Sequence, residues 1–147
     1  MAIGDVTTIV QGSRAKVEAL ASATATNSAP SGASAGLETN ALGVFGKIPT
    51  TCIAEVVSTA GSATMTVTIR VWGYDGAKWT PLGNSATGTA QGVLNDGNAI
   101  TESSADKIAF SQPISYLGAY SRVYFEITAI GGTSTAVTVF LIVQRDL

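Results

Sequence analysis

The 147-residue sequence has no histidine, a single cysteine and few charges: charged residues make up 12%, against roughly 25% in ordinary soluble domains. Without histidine the chain lacks the commonest general base and metal ligand, and every Ser–His or Cys–His pair is excluded. A net charge of −2 does not suit a nucleic-acid binder. No run approaches the ~20 apolar residues of a transmembrane helix. We therefore expect a non-enzymatic protein without cofactor, metal, nucleic-acid or membrane partners.

The lone cysteine and the first residues bear on compartment and reactivity. Cys52 cannot form an internal disulfide, and it lies between Thr51 and Ile53 in an apolar run. Buried cysteines of this kind are usually inert, so we expect a small core residue. Residues 1–5 lack the basic and apolar regions of a signal peptide, which predicts synthesis in a cytoplasm.

From residue 50 onward the sequence alternates with period two, the pattern of half-buried strands. Segments 51–58 and 64–72 are predicted strands, and the inward positions of the second are Met65, Val67, Ile69 and Val71. The Asp75-Gly76 pair then separates two aromatic-bearing runs, which predicts a hairpin.

The C-terminal half continues this alternation. Segment 122–128 is a predicted strand with Val123, Phe125 and Ile127 inward, followed by a turn at Gly131-Gly132. In the last strand, 136–143, positions 139–143 are apolar on both faces, so this strand is either central in a sandwich or faces a partner subunit.

The middle of the chain is less regular. A shorter strand is expected at 105–112, with Pro113 in a loop. The connection over 82–99 is long, which indicates a functional loop or an unrecognised edge strand.

The first third of the chain differs from the rest in composition and pattern. Residues 6–10 can form a strand, and 14–26 is interpreted as extended, with a helix as the competing assignment. Residues 27–36 are low in complexity, which predicts a flexible loop. We therefore divide the single domain into 1–36, an arm or strand pair with this Ala/Ser/Gly-rich loop, and 37–147, the core. The fold class is all-β, an antiparallel sandwich, jelly-roll-like or a small barrel, with the jelly roll preferred.

Acidic residues offer weak candidates for chemistry. Asp96, Glu102 and Asp106 fall close together, but their spacing does not match a calcium loop, and Asn-Asp-Gly-Asn is ordinary turn chemistry. Glu55 and Glu126 lie mid-strand, where charges discourage edge pairing. A hydrolase built on these acids is the least favoured hypothesis.

Two groups of aromatic residues are candidates for contacts. Trp72, Tyr74 and Trp79 flank the predicted hairpin, where rings either pack across strands or form a stacking platform for sugars. Tyr116 and Tyr120 flank a short loop, where exposed rings suit a protein interface. Packing is the favoured interpretation of the first group.

Several stretches give the chain a resemblance to capsid decoration (cement) proteins of tailed bacteriophages. These are the Ala/Ser/Thr/Gly-rich first third, the hairpin VWGYDGAKWTPLG over 71–83, and YFEITAIGG over 124–132 before the apolar last strand. The resemblance implies a β-sandwich or small barrel that clusters, often as a trimer, over junctions between capsid subunits. It also implies a virion location on the capsid surface, with the major capsid protein as partner.

Charge scarcity and abundant small residues favour the same interpretation, because a permanently assembled subunit does not need a highly charged surface. We expect a structural virion protein and homo-oligomer that reinforces capsomer junctions through the N-terminal segment, the tyrosine loop and the outer face of the last strand. The alternative is a carbohydrate-binding or receptor-contacting tail module that uses Trp72, Tyr74 and Trp79. The candidate interface residues are Ile3, Val6, Ile9, Tyr116, Tyr120, Phe140 and Ile142.

Overall fold

The computed structural model describes residues 3, 6–10, 14–39, 51–58, 65–82, 92–102, 108–115, 119–132 and 136–144. These residues contain a short 3-10 turn at Asn95–Gly97 and ten strands, which are β1 (Val6–Val10), β2 (Arg14–Ala23), β3 (Leu37–Glu38), β4 (Thr51–Ser58), β5 (Met65–Tyr74), β6 (Trp79–Pro81), β7 (Ile100–Glu102), β8 (Ile108–Ser115), β9 (Arg122–Gly132) and β10 (Val137–Gln144). Among them no helix has the length and apolar character that a membrane span needs.

The strands form two antiparallel sheets that pack together as a β-sandwich. The first sheet has the order β1-β2-β10-β4-β8, and the second has the order β3-β9-β5-β6, with β7 also paired to β5. The pairs β2–β10, β3–β9, β4–β8 and β5–β6 follow from this order, and the chain crosses between sheets from β2 to β3, β3 to β4 and β4 to β5. This is a jelly-roll arrangement with β1 added at one edge. The predicted all-β sandwich is confirmed, and the described strands do not close into a barrel.

The core lies between the sheets and follows the predicted alternation. Along β5 every second residue from Met65 to Val71 is buried, and β9 contributes Val123, Phe125 and Ile127. The first sheet faces them with residues of β2, β4 and β10, which are Val17, Ala19, Val56, Val137, Val139 and Leu141. Each large apolar side chain stabilises the sandwich by about 1.5–3 kcal/mol when it leaves water. Burial on one face of each sheet therefore explains the period of two.

Strand β10 lies between β2 and β4 in the first sheet. Its place inside the sheet agrees with the first of the two interpretations. Its outward residues Phe140 and Ile142 are only half-buried, so a face toward a partner subunit stays a prediction. The extended assignment of β2 is confirmed: it pairs with β10 from Ala23 to Arg14, with register shifts around Val139. Residues 14–23 thus lie in the same sheet as the last strand.

One expectation about the middle of the chain was wrong. The predicted strand at 105–112 is observed as β8, Ile108–Ser115, and residues 105–107 lie outside the described part of the chain. It includes Pro113, which pairs with Ile53, whereas the sequence placed this proline in a loop. Because β8 is the last strand of its sheet among the described residues, Pro113 occupies the kind of edge position that tolerates a missing amide hydrogen.

The long 82–99 connection returns to β5. Val71 donates its amide to the carbonyl of Gly92 at 2.9 Å, and Leu94 donates to that of Ile69 at 2.9 Å. A bridge between Arg70 and Val93 completes the contact. Residues 92–94 therefore pair with the edge of β5 between β6 and β7. They account for part of the unrecognised edge strand that the length of the 82–99 connection indicated.

We expect two glycines before β3 to respond differently to alanine. Both have left-handed backbone, φ +74 at Gly32 and φ +68 at Gly36, but an added Cβ meets nothing at Gly32 and collides with the Val123 carbonyl at Gly36. Gly32→Ala should cost about 1–2 kcal/mol of unfolding free energy from backbone strain. Gly36→Ala should cost a further ~1–3 kcal/mol because β3 must move away from β9. Urea unfolding measures both, and equal losses would contradict this placement of β3.

Candidate binding face of the second sheet

The outer side of the second sheet carries a row of aromatic and charged side chains. Residues of β5 and β9 that point away from the core lie opposite one another in register: Arg70 pairs with Glu126, Trp72 with Tyr124, and Tyr74 with Arg122. All six are half-buried. We call these residues, together with Trp79 of β6, the outer face.

The hairpin that carries Trp79 is held by its turn, as the sequence predicted. The Asp75 carboxylate oxygen Oδ1 accepts hydrogen bonds from the amides of Ala77 at 2.8 Å and Lys78 at 2.7 Å. The backbone hydrogen bonds from Lys78 and then Ala77 lower the pKa of Asp75. Gly76 has φ +101, a conformation that glycine adopts without strain. The turn thereby places Trp79 directly opposite Tyr74.

Three rings on the outer face form one cluster. The Trp79 ring lies 5.1 Å from that of Tyr74 and 6.1 Å, edge-on, from that of Tyr124 (centroid distances). These distances fall in the range of favourable aromatic pairs. Burial, and then the nearby Glu126 carboxylate, raises the pKa of the Tyr124 phenol, so its hydroxyl stays a hydrogen-bond donor beyond its ordinary pH range.

Next to this cluster, Trp72 makes a hydrogen bond through its indole nitrogen and a cation–π contact through its ring. Its indole Nε1 donates to Glu126 Oε2 at 2.7 Å. The Arg70 guanidinium carbon lies 5.9 Å from its ring centroid, within the range of a cation–π contact. Arg70 Nε is buried and has no hydrogen-bond partner.

Residues 24–36, which we call the strap, run beside β9. The side chain of Asn27 forms hydrogen bonds with the backbone of β9, as a neighbouring strand would. Its Nδ2 donates to Phe125 O at 3.1 Å, and its Oδ1 accepts from the Ile127 amide at 2.6 Å. Its own amide donates to Ile127 O at 3.3 Å. One residue thus satisfies three backbone groups on β9, an edge cover of the kind that limits unwanted strand pairing.

The rest of the strap is attached through its carbonyl oxygens. Tyr124 donates its hydroxyl to Ser28 O at 2.9 Å, and Trp79 Nε1 donates to Gly32 O at 2.8 Å. Arg122 donates to three successive carbonyls, those of residues 34, 35 and 36, at 2.6–3.0 Å. It also forms an ion pair with Glu38 at 3.0 Å. The composition of 27–36 predicted a flexible loop, whereas the structure attaches this segment to the second sheet.

The predicted interface residues are spread over the molecule. Ile3 is 46% exposed. Val6 and Ile9 lie in the edge strand β1, with side chains outside the described part, and Tyr116 lies outside it altogether. Tyr120 is half-buried, and an added Cβ at Gly73 would come within 2.7 Å of its ring. Tyr120 therefore packs within the chain, and the described structure does not gather these residues into one surface.

Phe140 and Ile142 point away from the core on β10 and are half-buried. Phe140 lies between Glu18 of β2 and Glu55 of β4 in register. The Lys16 ammonium group lies 5.3 Å from its ring centroid. These residues lie on the side of the first sheet that points away from the core, on the opposite side of the sandwich from Trp72.

The candidate acids are not brought together among the described residues. Asp96 lies in the 3-10 turn without a described side chain, Asp106 falls outside the described residues, and Glu102 ends β7 opposite Met65. The described part of the chain contains no group of three His, Cys, Asp or Glu residues that could hold a metal. Cys52 lies in β4, and the burial of its side chain in the core stays a prediction.

Sequence reasoning missed the two residues that hold the strap most firmly, Asn27 and Arg122. Asn27 stood in a stretch interpreted as a loop, and Arg122 was only the first residue of a predicted strand. A signal existed in Arg122, one of only eight basic residues in the chain. A guanidinium presents five donors in a fixed fork, which suits several carbonyls at once.

We expect Arg122→Ala to release residues 33–36 of the strap while the sandwich stays folded, because three carbonyls lose their common donor and the bonds at Asn27, Ser28 and Gly32 remain. In the unmodified protein, backbone order parameters for 33–36 should approach the value of about 0.85 for rigid segments, and in the variant they should fall below about 0.6. Nuclear magnetic resonance relaxation measures them, with Lys78→Ala as the control for loss of an exposed cation. Low values in the unmodified protein would contradict the attachment.

No protein-family model matches this chain, and neither a curated protein nor a solved structure does so. A jelly roll serves capsid subunits, lectins and cupins alike, so the fold alone does not choose a function. The choice rests on the strap and the outer face.

Proposed function

We propose that this chain is a structural virion protein that binds the outside of a phage capsid and reinforces the junctions between capsomers. It acts by binding to the major capsid protein, as a homo-oligomer for which a trimer is favoured, and not by catalysis. The observation that carries the proposal is the strap, an exposed ridge of small uncharged side chains whose backbone is already attached to the sandwich.

The strap has the properties of a preorganised contact surface. Its exposed residues include Ser28, Ala29, Ser31, Ala33 and Ser34. Such side chains have little rotamer freedom to lose on binding, and the bonds from Arg122, Trp79 and Tyr124 order the backbone beforehand. Ordering costs subtract directly from affinity, so a ridge of this kind binds with a small entropic penalty.

Such a surface gives each copy of the protein a modest affinity for the capsid. Assembly of several copies into an oligomer raises the overall affinity. Small side chains bury little apolar area, and the chain as a whole has few charges for strong ion pairs. Linking several weak contacts makes later binding events intramolecular, and avidity can exceed each single affinity by about 10²–10⁴-fold. An oligomer that spans two capsomers fits this logic. Ile3, exposed near the N-terminus, is a further candidate contact.

The proposal predicts that the purified protein binds expanded capsids that lack it and raises their disruption temperature. Ala33→Glu places a long charged side chain on the ridge and should weaken binding at least about tenfold, which corresponds to 1.4 kcal/mol. Thr101→Glu adds the same charge at an exposed position of β7 and should bind like the unmodified protein. Co-sedimentation gives occupancy, and calorimetry gives the disruption temperature.

Two outcomes would overturn the proposal. One is the absence of both binding and a temperature shift at saturating protein. The other is equal binding of Ala33→Glu and Thr101→Glu, which would remove the strap from the contact. Sedimentation equilibrium of the free protein tests the proposed oligomer separately.

A further inference from the structure

Arg70 is an arginine whose charge has no counterion among the described residues. Its Nε is buried without a hydrogen-bond partner, and its guanidinium lies over the Trp72 ring. Unsatisfied buried polar atoms are uncommon in folded proteins and call for a specific explanation. The cation–π contact orients the guanidinium without using its donors.

Among the described residues, Arg70 forms no ion pair with the carboxylate nearest to it in register. Glu126 lies directly opposite on β9. Its Oε2 instead accepts the hydrogen bond from Trp72 at 2.7 Å. Arg122 forms an ion pair with Glu38 at the far end of the outer face. Within the described part of the chain, Arg70 therefore has an Nε without a hydrogen-bond partner and no bonded carboxylate.

The surroundings of Arg70 restrict the chemistry of a ligand that binds there. Trp72 and the cluster of Tyr74, Trp79 and Tyr124 provide half-exposed rings beside the arginine. Along β5, Arg70, Trp72 and Tyr74 project from the same face at about 6.6–6.8 Å intervals. A ligand that follows this row meets a cation first and aromatic surface next, with the Glu126 carboxylate alongside as an acceptor.

We propose that the outer face binds an acidic saccharide, with a sugar carboxylate on Arg70 and the apolar faces of the sugar rings against Trp72 and the ring cluster. A guanidinium pairs with a carboxylate through two parallel hydrogen bonds. Sugar hydroxyls need both donors and acceptors, which Arg70 and Glu126 supply together. This site goes beyond the proposed capsid attachment, and it shares Trp79 and Tyr124 with the groups that hold the strap.

The experiment is a titration of the full-length protein with tetragalacturonate, followed by the indole N–H resonances of Trp72 and Trp79. Cellotetraose, which has no carboxylate, is the neutral probe. Tetragalacturonate should shift the Trp72 resonance with saturation at millimolar concentration or below, and cellotetraose should bind at least tenfold more weakly. Arg70→Gln should weaken tetragalacturonate binding at least tenfold, whereas Lys78→Gln, with the same charge change in the exposed turn, should leave it unchanged.

Each other outcome overturns the proposal. Equal binding of both saccharides would remove the carboxylate from recognition, and an equal loss in Arg70→Gln and Lys78→Gln would reduce the effect to net charge. No shift with either saccharide would remove the site. Thermal unfolding checks that each variant is folded. If Arg70→Gln does not fold, Arg70→Lys replaces it: this variant keeps the charge but loses the fork, and unchanged binding in it would also count against the proposal.

Discussion

The alternation of side chains along β9 is the constraint on which the rest of the structure depends. Its inward residues Val123, Phe125 and Ile127 fill the core. Tyr124 and Glu126, between them, build the outer face. Its backbone also receives β5 on one side, and β3 with Asn27 on the other. A one-residue slip would exchange the two faces, so the core, the ring cluster and the strap attachment all require the same register.

Elements set by local pattern could be predicted from the sequence. Segment 51–58 and the inward residues of β5 and β9 follow from burial on one face, and the Asp75-Gly76 turn carries its own hydrogen bonds. Strand order is a different matter, because β2 joins β10 across more than a hundred residues and nothing in either strand marks its partner. The prediction that Pro113 lies in a loop failed for a related reason. Its place in a strand depends on β8 lying at an edge of its sheet.

Apart from the side chain of Asn27, the strap is attached through backbone acceptors that every residue has, so its attachment could not be predicted. Tyr124 and Ser28 are 96 positions apart, and Arg122 reaches carbonyls 86 to 88 positions away. A carbonyl leaves no trace in composition, so the small side chains of 27–36 suggested only flexibility. The outer face was half predictable. Trp72, Tyr74 and Trp79 stood out, whereas Tyr124, Arg70 and Glu126 joined them only through the pairing of β5 with β9.

The two proposed surfaces meet in the ring cluster, and this determines how they can coexist. Trp79 and Tyr124 belong to the cluster and also hold the strap through Gly32 and Ser28. Arg70 lies at the other end of the row from Arg122, since their partners in register are Glu126 and Tyr74. A saccharide anchored on Arg70 can therefore stack on Trp72 without displacing the strap. A ligand that turned the Trp79 ring would break its bond to Gly32 and loosen the ridge. Capsid attachment and saccharide binding are thus compatible while the cluster keeps its present geometry.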